Sequence, residues 1–221
     1  MIKQIGALLY KDFTIEWRNR YALNGILLYL AGAVFICYLS FNVKKGIIHP
    51  ITWNALFWII ILFSAINAIS KSFSGEREGR NLYYFMLCRT EAIIFSKIIY
   101  NSVLLLMLAV IGFVFYGVVM GNPIQDQVTF FLCLVLSSIA FASSLSFVAA
   151  IASKASNNGT LMAILSFPII LPLLLLIIKI SKQAIDGIDV YESYDELTIL
   201  MAINVLVLAL SYILFPYIWR N

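Results

Sequence analysis

The sequence predicts an all-α polytopic membrane protein of six transmembrane helices, and three observations carry that prediction. Hydrophobic residues make up 62% of the 221 residues and charged residues 12%, against roughly 45–50% and about 25% in soluble domains, and mean hydropathy is +0.96. Six uncharged stretches, at 21–41, 50–70, 98–120, 128–152, 160–178 and 197–217, are each long enough to cross about 30 Å of hydrocarbon at about 1.5 Å per residue. These runs are continuously apolar rather than alternating, and backbone groups in lipid need partners within their own segment, which selects helices over strands. A single transmembrane domain over residues 1–221 is expected.

Before the first span, residues 1–20 place Ile2, Ile5, Leu9, Phe13 and Trp17 at steps of three and four, while Lys3, Lys11, Asp12, Glu16, Arg18 and Arg20 fall mostly elsewhere. That pattern predicts an amphipathic helix lying along the membrane surface, with Trp17 and Tyr21 suited to the headgroup layer. The second span opens beside His49, the sole histidine; a lone imidazole at a span boundary reads as a headgroup contact sooner than as a haem or metal ligand. The connection from Lys71 to Lys97 is long and splits into a polar half, SFSGEREGRN, and an apolar half, LYYFMLC. A loop of that length has its own structure or a task, and docking of a soluble partner suits it. Thr90 is expected to cap the third span, with Glu91 at the positive end of the helix dipole.

The fourth span is rich in small residues, among them Ser137, Ser138, Ala140, Ser143, Ser144 and Ser146, which let helix backbones approach closely within the chain or across a homodimer. In the fifth span Pro168 and Pro172 each remove a backbone donor and clash one turn earlier, so a kinked or broken helix is expected. Before the sixth span, Asp186, Asp189, Glu192, Asp195 and Glu196 make a well-hydrated loop whose spacing matches no calcium-binding EF-hand.

Lysine and arginine set the orientation. Eleven (Lys3, Lys11, Arg18, Arg20, Lys71, Arg77, Arg80, Arg89, Lys97, Lys154, Arg220) fall on the side of the termini and four (Lys44, Lys45, Lys179, Lys182) on the other, which places both termini in the cytoplasm. The N-terminus lacks the pattern of a removable signal, so insertion is expected to begin at the first span. A net charge of +4 distributed beside apolar runs argues against nucleic acid as a partner. Cys37, Cys88 and Cys133 have no spacing for a metal site or a disulfide framework. No Asp, Glu, Lys, Arg or His sits in the middle of a span, which disfavours ion-coupled transport and intramembrane catalysis. No G-x-x-x-x-G-K-[ST] loop is present, so the chain is not expected to be an enzyme, and ATP energy must arrive through another subunit.

Several short motifs also resemble one family. Lys11-Asp12-Phe13 followed by Glu16 and Arg18 is similar to the KD-x-x-x-E-x-R lead-in of CcmB, the haem exporter membrane protein of the cytochrome c maturation system. Phe73, Glu76, Gly79 and Leu82, with Lys97 at the foot of the third span, resemble the segment before that family's third helix. The block from Gly159 to Pro172 looks like its G-x-L-x-x-x-L-x-x-P-x-x-x-P pattern. The resemblance implies an ABC-transporter permease subunit with an ABC-2-like bundle in a bacterial inner membrane. It implies a soluble ATPase partner (CcmA-like), membrane partners (CcmC-like and CcmD-like) and delivery of haem to a CcmE-like chaperone outside the membrane. It assigns Lys11, Asp12, Glu16, Arg18, Phe73, Glu76, Gly79 and Leu82 to coupling with the ATPase, and Pro168 and Pro172 to a bending point. No covalently bound cofactor is expected; ATP is used through the partner, and haem is the handled ligand. Because the spans offer no buried charge and no internal histidine or methionine pair, mechanical coupling is favoured over a haem-lined channel. The rival readings are an ABC-2-type permease for a lipid, drug or polysaccharide, and a structural membrane scaffold.

Overall fold

Polar punctuation between apolar runs sets the helix ends. The computed structural model describes residues 1–19, 21–42, 48–74, 88–153 and 158–220. In order these form α1 (Ile2–Asn19), α2 (Tyr21–Asn42), α3 (Pro50–Ser74), α4 (Thr90–Met120), α5 (Gln127–Ala152), α6 (Asn158–Ile185), a 3-10 turn at Val190–Ser193, and α7 (Tyr194–Arg220). There is no strand among the described residues. Helices α2 to α7 are long and apolar enough to cross a membrane, and six crossings return both termini to one side, termed here the terminal face.

Proline at the first position of α3 has no N–H to leave unsatisfied. The preceding His49 accepts from the Ile51 N–H through Nδ1 at 3.4 Å and from the Trp53 N–H through its carbonyl at 3.0 Å. Asp126 caps α5, its carboxylate accepting from the Val128 and Thr129 N–H groups at 3.0 and 3.3 Å and from the Thr129 hydroxyl. At α4 the capping position is Arg89, without a side-chain bond, and Thr90 is already helical. The expected threonine cap is thus corrected by one residue, while Glu91 does lie in the first turn.

Three helices outrun the uncharged stretches by a full turn or more at one end. α3 continues to Ser74, α4 begins at Thr90, and α6 reaches Ile185, so the connection expected over 71–97 is shortened at both ends. The charges that bound those stretches, Lys71, Lys97 and Lys179, sit inside helices, because a side chain at a helix end reaches a counter-ion or water without ending the helix. α6 also runs unbroken through Pro168 and Pro172, both exposed. Of the two expected forms, a break is absent.

Helix α5 is central, with 67% of its span buried against 17% of α2. Its fully buried Ser137, Ala140, Ala142, Ser143, Ser144 and Ser146 let α3, α4, α6 and α7 pack close around it. This matters because lipid supplies no hydrophobic drive between helices, and close contact and hydrogen bonds must hold them. Some of the serines bond back to their own helix, as Ser138 does to Leu134 O at 2.8 Å. Close approach recurs at Gly112 of α4, where a Cβ would lie 2.9 Å from Ile61 and 3.1 Å from Leu30.

Towards the opposite face the core is aromatic. Trp53, Phe57, Trp58, Tyr116, Phe130 and Phe141 are fully buried, with Trp53 and Tyr116 rings 4.9 Å apart and Phe57 and Trp58 rings 5.2 Å apart. Their polar tips are satisfied: Trp53 Nε1 donates to Gly121 O at 2.8 Å, Tyr116 to Trp53 O at 3.2 Å, and Trp58 Nε1 to Ser181 Oγ at 2.8 Å.

Candidate functional site: a charged joint at the terminal face

The bundle-facing side of α1 is centred on Leu8 and Asp12, which are 7% and 8% exposed, with Ile5, Leu9 and Glu16 half-buried beside them. The expected apolar stripe is therefore divided. Ile5 and Leu9 turn towards the bundle, Phe13 lies at the border with its ring against Tyr100, and Ile2, Tyr10 and Trp17 form an outward ridge, exposed by 86%, 77% and 74%. That ridge suits a headgroup layer, and Lys3 and Arg18 lie exposed beside it. A carboxylate can sit at the centre of the packed face because cations meet it there.

Those cations are Lys11, with Nζ 3.0 Å from Asp12 Oδ1, and Lys97 of α4, with Nζ 3.4 Å from Asp12 Oδ2. Lys97 is 6% exposed. Its ammonium also donates to the Ser72 carbonyl near the end of α3 at 3.4 Å and stands 6.0 Å from the Phe73 ring centroid, within cation–π range. One turn further, the Tyr100 hydroxyl donates to Glu16 Oε2 at 3.3 Å, and the Phe13 and Tyr100 rings meet edge-on at 5.2 Å. A single ammonium thus touches three helices.

Of the residues assigned to coupling, the structure brings Lys11, Asp12, Glu16 and Phe73 together, with Lys97 and Tyr100 at their centre. Arg18 stays on the exposed side of α1. Glu76, Gly79 and Leu82 lie outside the described residues. Asp12 and Glu16 face inward and bind the bundle, so they act on a partner only through α1. Tyr100 and Ser72 belong to no motif of the sequence. The available signal was the spacing of Lys97 and Tyr100, which puts an amine and a phenol on one face at the foot of a span.

Among the described residues, the buried polar side chains other than Asp12 and Lys97 are neutral. Asn54 Nδ2 donates to Ile178 O at 2.9 Å, and Ser181, which accepts from Trp58, faces Asn54 Oδ1 at 2.8 Å. Between α4 and α5, Asn101 Nδ2 donates to Ser146 Oγ at 2.8 Å, and Asn204 Nδ2 of α7 reaches Leu136 O at 3.3 Å.

Two places among the described residues bear on haem binding. His49 is exposed and its Nδ1 is used at the start of α3. A cleft of about 290 Å³ near the opposite face is lined by Phe113, Asn122, Gln127, Phe130, Phe131 and Leu134. These offer no imidazole, thiolate or thioether for the iron and no cation for a propionate. Among the described residues no three His, Cys, Asp or Glu side chains gather to hold a metal.

A bundle of six long apolar helices, with a buried ion pair where α1 is pinned to the feet of α3 and α4, defines a polytopic membrane protein. The family model described as CcmB protein matches residues 3–218, and the chain belongs to that family. It is thereby a permease subunit of the haem exporter of cytochrome c maturation, a complex with an ATPase partner. A comparison with curated proteins found no match.

Proposed function

We propose that this subunit transmits ATP-driven motion across the membrane and does not conduct haem through its own helices. In this reading it sits in the bacterial inner membrane with both termini cytoplasmic, as the excess of basic residues on the terminal face supports. A soluble CcmA-like ATPase docks on the 75–87 segment, with Glu76, Gly79 and Leu82, and on α1, with the exposed Arg18 and the half-buried Lys11. ATP binding closes two ATPase domains under two copies of the subunit and pushes the helix feet. The bundle then shifts between two packings, with α6 bending at Pro168 and Pro172. CcmC-like and CcmD-like membrane partners receive the shift, and a haem-loaded CcmE-like chaperone is released outside.

The observation that carries this reading is the Lys97 joint. It ties α1 to the ends of α3 and α4 that flank the 75–87 segment, so a push there reaches the transmembrane helices directly. The uncharged middles of the spans support the same view, since haem has two propionates and no lysine or arginine lies midway along a span to receive them. The test is a Glu76→Ala, Gly79→Leu variant in the intact complex. Membrane insertion and ATP hydrolysis are expected to persist while chaperone release and c-type cytochrome maturation fall. Unchanged maturation would remove the 75–87 segment from the coupling path. Loss of c-type cytochromes on deletion separates this function from export of a lipid, drug or polysaccharide.

A further inference from the structure

We infer that Asp12 and Lys97 are a positioning pair that locks α1, the last turn of α3 and the first turns of α4 into one body, which stays closed while the complex cycles. The inference rests on the transmission reading and deepens it: α1 is a fixed part of the lever and not a second, independently moving contact.

Burial is the first argument. Asp12 and Lys97 are 8% and 6% exposed, so separating them would leave the buried ammonium without a carboxylate and Asp12 with Lys11 alone. Leaving a buried charge without its counter-ion in that way is strongly disfavoured. The second argument is that the contact is doubled. One turn along both helices, Tyr100 holds Glu16 at 3.3 Å and packs edge-on against Phe13, so rolling or sliding α1 must break an ion pair, a charge-assisted hydrogen bond and a ring contact together. Third, the same ammonium holds the Ser72 carbonyl and lies near the Phe73 ring, which brings the end of α3 into the body. A force entering at the 75–87 segment or on the exposed side of α1 therefore moves the same piece.

The test uses the full complex with Cys37 and Cys88 replaced by serine; Cys133 is fully buried and stays. Spin labels at Tyr10→Cys and Val103→Cys report the α1–α4 distance, and labels at Tyr10→Cys and Leu175→Cys report α1 against α6. Distances are measured without nucleotide and with a trapped ATP analogue. The α1–α4 distance is expected to stay within about 2 Å between the two states while the α1–α6 distance changes. Asp12→Asn should broaden the α1–α4 distribution and lower chaperone release per ATP hydrolysed at least 10-fold. Lys97→Arg, which keeps the charge and a donor for the Ser72 carbonyl, should retain coupling. An α1–α4 distance that changes with nucleotide overturns the locked body and leaves transmission standing. A constant α1–α6 distance together with unaltered release in Asp12→Asn overturns both. The distance measurement on the unsubstituted pair does not depend on the variants folding.

Discussion

Ser181→Ala is the substitution whose cost is most directly readable from the bundle. Ser181, Trp58 and Asn54 are 0%, 0% and 1% exposed, and the serine hydroxyl is the hinge of their chain. It accepts from Trp58 Nε1 at 2.8 Å and faces Asn54 Oδ1 at 2.8 Å, with the Ile177 carbonyl a second acceptor at 2.8 Å. Alanine deletes the hydroxyl and orphans a buried indole N–H and a buried carboxamide oxygen, leaving only the Asn54 bond to Ile178 O. A buried orphan costs about 1–3 kcal/mol in soluble interiors, and interhelical hydrogen bonds in membranes average about 0.6 and reach about 1.7 kcal/mol. Two orphans then cost about 2 kcal/mol, or roughly 30-fold in the folding equilibrium. Titration with sodium dodecyl sulfate in mixed micelles, followed by tryptophan fluorescence, measures it, with Trp58 as a reporter inside the site. Asn54→Ala in the Ser181→Ala background should cost less than it does alone, since the two share one bond. Ser102→Ala, which removes only a bond to its own helix, is the control. A Ser181→Ala cost under about 0.5 kcal/mol, or costs that simply add, would show that this chain does not hold α3 to α6.

Three further outcomes are open to measurement. Asn101→Ala should lower stability by about 1 kcal/mol and lose most of that effect once Ser146 is alanine, read by the same titration. Asp126→Ala should destabilise by about 1 kcal/mol at neutral pH. The Thr129 hydroxyl, with the Thr129 and Val128 N–H groups, holds the Asp126 carboxyl below the usual carboxylate range. Its stabilisation is therefore complete above the unfolded value near 3.9 and is lost as pH falls through the lowered folded value, so wild type and variant should converge in acid. Gly187→Ala should cost about 1–2 kcal/mol in a thermal unfolding assay, because φ is 72° and the new methyl meets the Gln125 side chain. Gly6→Ala, with open space around it, should not destabilise.

The number and order of spans were legible because long apolar runs report a property of each segment alone. Helix ends were less so. Cutting a span at Lys97 or Lys179 assumes that a charge leaves the helix, yet Lys97 is neutralised by Asp12 and Lys179 by Glu196 at 2.8 Å, partners far away in sequence. The same blindness turned the apolar stripe of α1: hydrophobic spacing alone selects Ile2 and Trp17, whereas the packed side runs through Asp12 and Glu16 because Lys97 and Tyr100 wait on α4. The small residues of the fourth span did announce a helix closely surrounded by others. Nothing in one-dimensional spacing connects Asn54 with Ser181, since their pairing needs α3 and α6 already side by side.

Co-purification tests the central claim most directly: extract the membrane in mild detergent, pull on this chain, and assay the product for ATP hydrolysis and haem absorbance. The account predicts that a soluble ATPase follows in stoichiometric amount and supplies all of the hydrolysis, and that the chain stripped of its partners retains no haem. Vesicles carrying this chain alone that take up or release haem without an ATPase would contradict it.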